Sequence, residues 1–130
     1  MAGHLTKYSD DIRNRFLSSK IEDDVTSIMK DFTSAVEAGK EKEAGFPSAA
    51  YAVSKAGLIG GTRALARSEK EKGSKVLINC CCPGYVNTDM TKGNGTKTPD
   101  EGAQTPVLLA IHDVQNKTGT FWQHEKEIEW

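Results

Sequence analysis

No apolar stretch in this sequence approaches the roughly 20 residues that a bilayer-spanning helix needs. The first residues, MAGHLTKYSDD, have no apolar core of the kind a secretory signal carries. The expectation is a cytoplasmic protein with no membrane partner, in which the sequons at Asn94 and Asn116 are accidental. Charge of one sign is also missing. Seventeen Lys and Arg stand against 18 Asp and Glu, for a net charge of -1. With no basic run, nothing points to a nucleic-acid partner. His4, His112 and His124 are scattered, with no acidic or cysteine partner at ligand spacing, so no metal site is expected. The three cysteines are consecutive, Cys80 to Cys82. That excludes a disulfide framework and a CxxC motif. On a strand Cys81 faces opposite to the other two. They read as buried small hydrophobes, with a redox-sensitive thiol as the alternative. Apolar residues are few, 37%, and 27% of the chain is charged. At 130 residues, one domain is expected.

What is present is a set of punctuated helices. Ser9 caps a short helix over 9–17, with Ile12 and Phe16 on one face. Ile21, Val25, Ile28, Met29, Phe32 and Val36 recur at helical spacing over 20–38, a core stripe. Ser19 and Glu22 form its capping box and Gly39 its stop. A polar link, GKEKEAGFP, follows. A helix rich in small residues is expected over 48–72, introduced by Pro47 and Ser48 and ended by Lys70, Lys72 and Gly73. Gly57, Gly60 and Gly61 lie inside it, each costing about 1 kcal/mol against alanine. Close approach of a neighbouring element is the usual reason. VLINCCC, Val76 to Cys82, reads as a strand buried on both faces of a parallel sheet. TKGNGTK is a loop whose GNG is a flexible turn. Thr98-Pro99-Asp100-Glu101 opens another helix, with Val107, Leu108 and Ile111 on its apolar face and Pro106 expected to kink it or restrict its start. A second strand is expected at 120–123. Together they make a βαβ unit with a right-handed crossover.

The chemistry centres on FPSAAYAVSK. Tyr51 and Lys55, four apart, share one helix face. A free phenol has pKa about 10 and is a poor acid at neutral pH. A nearby ammonium favours the phenolate, and a phenol so tuned can donate a proton to a carbonyl oxygen as hydride reaches the carbon. By spacing alone the pair is equally a solvated helix face. The PGYVNTDM segment, by itself, is a strand-to-loop turn in which Thr88 caps a helix.

In order along the chain, FPSAAYAVSKAG, VLINCCCPGYVNTDM, TKTPDEGAQTPVLLA and GTFWQHEKEIEW resemble the short-chain dehydrogenase/reductase family, and within it the monomeric carbonyl reductases. The charged helical segment before FPS is similar to that group's insertion ahead of the tyrosine. The likeness covers nearly the whole chain. It implies an oxidoreductase that uses NADPH to reduce ketones, aldehydes or quinones. Tyr51 would be the general acid, and Lys55 would hold the nicotinamide ribose hydroxyls. Pro83, Gly84, Tyr85, Val86 and Thr88 would lie along the cofactor, with Val86 backbone groups and the Thr88 hydroxyl at its carboxamide or phosphates. Tyr85 would face the substrate, where an aromatic ring stacks on a flat quinone or aryl ketone. Carbonyl reductases of this type often have tryptophan there.

The family's fold is a doubly wound Rossmann-type α/β sheet, of which this chain resembles the C-terminal part, the last two parallel strands and their helices. Residues 1–44 would be the helical insertion, and 45–130 the Tyr-Lys helix with those strands, in a single partial domain. The N-terminal nucleotide-binding half is absent from these 130 residues. They contain no glycine-rich pyrophosphate turn, no Asn-Asn-Ala-Gly segment and no serine to polarise the carbonyl. Met1 is expected to be an internal methionine of a longer protein or the start of a truncated gene product. The strand VLINCCC would keep an unpaired edge. Catalytic groups act as a unit, so the chain alone is expected to be inactive, aggregation-prone or partner-dependent. A full-length form is expected to be a monomer. The alternative is a non-catalytic interaction or regulatory fragment of a reductase fold.

Overall fold

The computed structural model describes residues 1–130. Helices α1 (Asp10–Ser18), α2 (Glu22–Glu37) and α3 (Ala50–Glu71) come first. Strand β1 (Cys80–Cys82), helix α4 (Pro99–Ile111) and strands β2 (Phe121–Gln123) and β3 (Lys126–Ile128) follow. The Ser9 Oγ accepts from the Ile12 amide at 3.2 Å, so α1 starts where its cap places it. The cap of α2 differs from expectation. Ser19 donates instead to the Arg15 carbonyl at the end of α1. The Asp24 carboxylate reaches back to the Lys20 and Ile21 amides, at 2.8 and 3.3 Å. With α1 ending at Ser18, Ser19 belongs to the preceding helix and cannot also open the next. Arg67 of α3 donates to the Leu17 and Ser19 carbonyls at 2.9 and 2.6 Å and satisfies that helix end.

A cluster of 11 buried residues fills the space between α1, α2 and α3. It includes Ile12 and Phe16, then Val25, Ile28 and Phe32, then Val53, Ala56 and Ala64. Tyr8, Phe16, Phe32 and Phe46 meet edge to face. The outer ends of the α2 stripe, Ile21 and Val36, remain exposed. Two of the three helix glycines have the expected neighbour. A Cβ on Gly57 would strike the Met29 sulfur, and one on Gly60 would strike the Phe16 and Trp130 rings. Gly61 has nothing within 4 Å.

The sheet is small. β1 pairs parallel with β2, Cys80 opposite Phe121 and Cys82 opposite Gln123, so the expected strand–helix–strand unit is present. Successive residues Phe121 and Trp122 point to opposite faces, and both are buried, so both faces are covered. Only Cys80–Cys82 of the expected longer strand joins the ladder. Val76 is 65% exposed, and the chain before Cys80 is tied by side chains instead: Ile78 N donates to Thr118 Oγ1, and the Asn79 amide grips Lys117 and Thr120. β3 pairs antiparallel with β2 and was not expected. Its turn, His124-Glu125, is left-handed at both positions (φ 50° and 60°), without the Asn or Gly that announces such a turn.

α4 has its capping box. Thr98 Oγ1 accepts from Glu101 N at 3.2 Å, and the Glu101 carboxylate accepts from Thr98 N at 2.7 Å. The helix runs through Pro106 without a break. Its expected apolar face is turned outward: Val107 and Ile111 are 48% and 74% exposed, while Gly102 and Thr105 are buried. Val86 packs on Gly102, and the Thr105 hydroxyl accepts from Glu125 N at the β2–β3 turn. Small and polar residues face inward because the loop and turn come so close.

Two stability outcomes follow from this packing. Gly61→Ala removes a helix-entropy cost into open space and is expected to raise unfolding free energy by about 0.5–1 kcal/mol in urea titration. Gly60→Ala meets two rigid rings and is expected to give no gain. The Tyr8 hydroxyl is buried without a hydrogen-bond partner, and desolvation pushes its pKa up from 10.0 to about 12. The folded chain keeps that proton where the unfolded chain releases it, so this contribution to stability is lost as pH rises from 10 to 12. Tyr8→Phe is expected to be at least as stable at neutral pH. It should also lose less stability over that alkaline interval, as measured by thermal unfolding.

Candidate active site

α3 turns Val53, Ala56 and Gly60 inward. Tyr51, Ser54 and Leu58, at helical spacing, therefore line its open side. Tyr51 is 57% exposed in the first turn of the helix, and Ser54 donates to its carbonyl at 2.7 Å. The Lys55 ammonium sits 5.5 Å from the centre of the Tyr51 ring, within cation–π range. The pair expected from spacing is therefore brought together on an accessible face. Behind it the N-terminal segment crosses the helix. A Cβ on Gly3 (φ +87°) would lie 3.0 Å from the Lys55 carbonyl carbon, so the crossing is backbone on backbone.

Pro83 to Thr88 leave the end of β1 and form a bracket with Thr91 and Thr96–Lys97. The Tyr85 carbonyl accepts from the Thr96 and Lys97 amides at 2.8 and 3.0 Å, and Asn87 N donates to the Lys97 carbonyl at 2.8 Å. Thr91 Oγ1 donates to the Val86 carbonyl and accepts from Thr88 N, at 2.8 and 3.0 Å. Gly84 (φ +89°) lets the chain turn against the Lys97 side chain. Tyr85 is 53% exposed. The Val86 N–H makes no hydrogen bond within the chain. No hydrogen bond or ion pair joins this bracket to Tyr51 or Lys55.

Several residues that shape the bracket escaped the sequence reading: Thr91, Gly95, Lys97 and Gly102. The GNG turn is not merely flexible, because Gly95 lies directly on the Val86–Asn87 backbone, where no Cβ fits. The one available signal was the Thr88–Thr91 spacing, which puts a hydroxyl within reach of a main-chain amide. The cysteines stay half-buried. Desolvation pushes Cys80 up to about 11, opposed by the nearby Arg63 charge, and also raises Cys81. Burial thus disfavours their reactive thiolate form. A separate hollow of about 530 Å³ is lined by Leu17, Arg63, Glu127 and Trp130, and none of the expected site residues borders it.

Gly95→Ala is expected to force the bracket apart. Amide hydrogen exchange at Asn87 and Lys97 should quicken markedly, while exchange in α1 and α2 stays unchanged.

Comparison with known proteins agrees with this geometry. The sequence pattern of the short chain dehydrogenase family matches residues 32–99. Carbonyl reductase [NADPH] 1 of Homo sapiens is 38% identical over 97% of this chain, and carbonyl reductase [NADPH] 3 of Rattus norvegicus is 42% identical over 82% of it. Those matches take in 47% and 40% of the two relatives, so the chain spans about half their length. The solved structure of salutaridine reductase from Papaver somniferum superposes with a TM-score of 0.79 at 28% identity, covering 94% of this chain and 42% of that one. The fold is accordingly part of a Rossmann-type α/β fold, and the chain belongs to the short-chain dehydrogenase/reductase family of oxidoreductases.

Proposed function

We propose that this chain is the catalytic-helix half of a carbonyl reductase that reduces ketones, aldehydes or quinones. The observation that carries the proposal is the Tyr51–Lys55 pair on the open side of α3, in a chain of this family. Tyr51 holds the proton delivered to the carbonyl oxygen. Lys55 supplies the positive charge that favours its release. Tyr85, exposed on the bracket, offers a ring for a flat substrate to stack on. Thr91 and Lys97 hold that bracket in shape.

NADPH, the cofactor printed in the names of the carbonyl reductase relatives, would supply the hydride. The residues present fit one end of it. The unengaged Val86 N–H suits a carboxamide oxygen, and Lys55 suits ribose hydroxyls. Pro83, Gly84 and Thr88 complete the contact surface. These 130 residues contain no glycine-rich turn for the pyrophosphate, so the chain alone should bind the cofactor weakly and turn over little or nothing. A second reading, a non-catalytic interaction fragment, is favoured by one observation: β1 ends the sheet with a free edge.

The test is a chimera in which this chain replaces the matching half of human carbonyl reductase [NADPH] 1. It should oxidise NADPH with a quinone, and Tyr51→Phe should lower the rate by about 10²–10⁴. A chimera indifferent to Tyr51→Phe removes the tyrosine from the mechanism. Turnover by the unfused chain, abolished by Tyr51→Phe, refutes the expected inactivity.

A further inference from the structure

The sheet has two outer edges, and they differ in chemistry. β3 carries Lys126 and Glu127, flanked by Glu125 and Glu129. Charges on an edge discourage further pairing. β1 and the extended chain before it, Val76 to Cys82, contain no charged residue.

The hydrogen bonds of that segment alternate. Ile78 and Cys80 spend their main-chain groups on the β2 side. Ile78 N donates to Thr118 Oγ1, Gly119 N to the Ile78 carbonyl at 2.7 Å, and Cys80 N to the Thr120 carbonyl at 3.1 Å. The main-chain groups of Leu77 and Asn79 make no hydrogen bond within the chain. By the same alternation those of Cys81 point with them to the open edge. The Asn79 side chain does not obstruct that edge, since it is turned back onto Lys117 and Thr120. Val76 and Leu77 remain 65% and 41% exposed.

We propose that two copies of this chain pair through this edge, antiparallel, about a two-fold axis at Asn79. A two-fold contact is self-complementary, and two identical edges can meet this way only antiparallel. Centred on Asn79, the register sets Leu77 opposite the partner's Cys81 and Val76 opposite the partner's Cys82. Every outward amide and carbonyl then has a mate, because each hydrogen-bonded pair exchanges two bonds. An axis at Cys81 would set Asn79 opposite the partner's Pro83, which has no N–H to give.

The size fits as well. The segment is roughly 23 Å long. With a covering layer on each face the sheet is about 30 Å thick, so the edge face is about 700 Å² per copy. A standard stable interface needs about 800 Å² per partner. The charged β3 edges at the far ends close the assembly at two copies.

The experiment uses the 130-residue chain itself, and none of its readouts is activity, so it stands or falls apart from the catalytic reading. Sedimentation velocity over about a hundredfold range of concentration should show a monomer–dimer equilibrium. Hydrogen exchange at the Leu77, Asn79 and Cys81 amides should slow about tenfold or more as dimer forms, while Ile78 and Cys80 change little. Leu77→Lys, at an already exposed position, should abolish the dimer and leave the circular-dichroism spectrum unchanged. A chain monomeric throughout overturns the proposal. So does a dimer whose Leu77, Asn79 and Cys81 amides exchange as fast as in the monomer. Should Leu77→Lys fail to fold, that exchange pattern in the unaltered chain decides the matter alone.

Discussion

Val53, Ala56, Gly60 and Ala64 give α3 an inner face with almost no side-chain height. The helix can therefore lie close to its neighbours, with Met29 of α2 against Gly57 and the rings of Phe16 and Trp130 against Gly60. The aromatic and aliphatic bulk of the core is supplied from the other side, by α1 and α2. Because the inner face is fixed by size, the outer face is fixed by geometry: residues at 51, 54, 55 and 58 have nowhere to point but outward or sideways. A larger residue in the buried row would displace the whole helix and move Tyr51 and Lys55 with it. The position of the reactive pair thus depends on the absence of methyl groups elsewhere on the same helix.

The second half of the site is held differently. The bracket from Pro83 to Lys97 has almost no apolar core of its own. It is tied by main-chain bonds between Tyr85, Asn87 and Lys97, and by the doubly bonded Thr91 hydroxyl. Gly95 and Gly102 allow it to close on itself and on α4. Such a loop has a definite shape and yet leaves some of its own groups unspent, the Val86 N–H among them. Loops of this kind, stiffened by local bonds and open at the tip, are where binding groups are commonly found.

The sequence revealed most where a residue does one local job. Ser9, Thr98 and Glu101 cap the helices that their chemistry favours, and the buried stripe of α2 obeys its helical period at Val25, Ile28 and Phe32. The Tyr51–Lys55 pair was legible because one helix carries both. What was hidden depends on partners far along the chain. Ser19 has the right chemistry for a cap, but Arg67 and the close of α1 claim its surroundings. Val107 and Ile111 look like a core face by period, yet the inner positions go to Gly102 and Thr105 because a loop approaches there. β3 lacked its turn residues, and the ladder of β1 is shorter than its apolar run because one side has no strand beside it.

The two ends of the chain meet on α3. The Trp130 indole N–H donates to the Gly3 carbonyl at 2.7 Å, its ring packs on Phe16 and under Arg63, and Gly3 itself lies on the backbone at Lys55. Neither end can fray without loosening the other, and both clasp the helix that bears the reactive pair. A tether or fusion pulling on either end would therefore be felt at Lys55 before it reached the sheet. The strap across the back of α3 couples mechanical load on the termini to the one place where chemistry is expected.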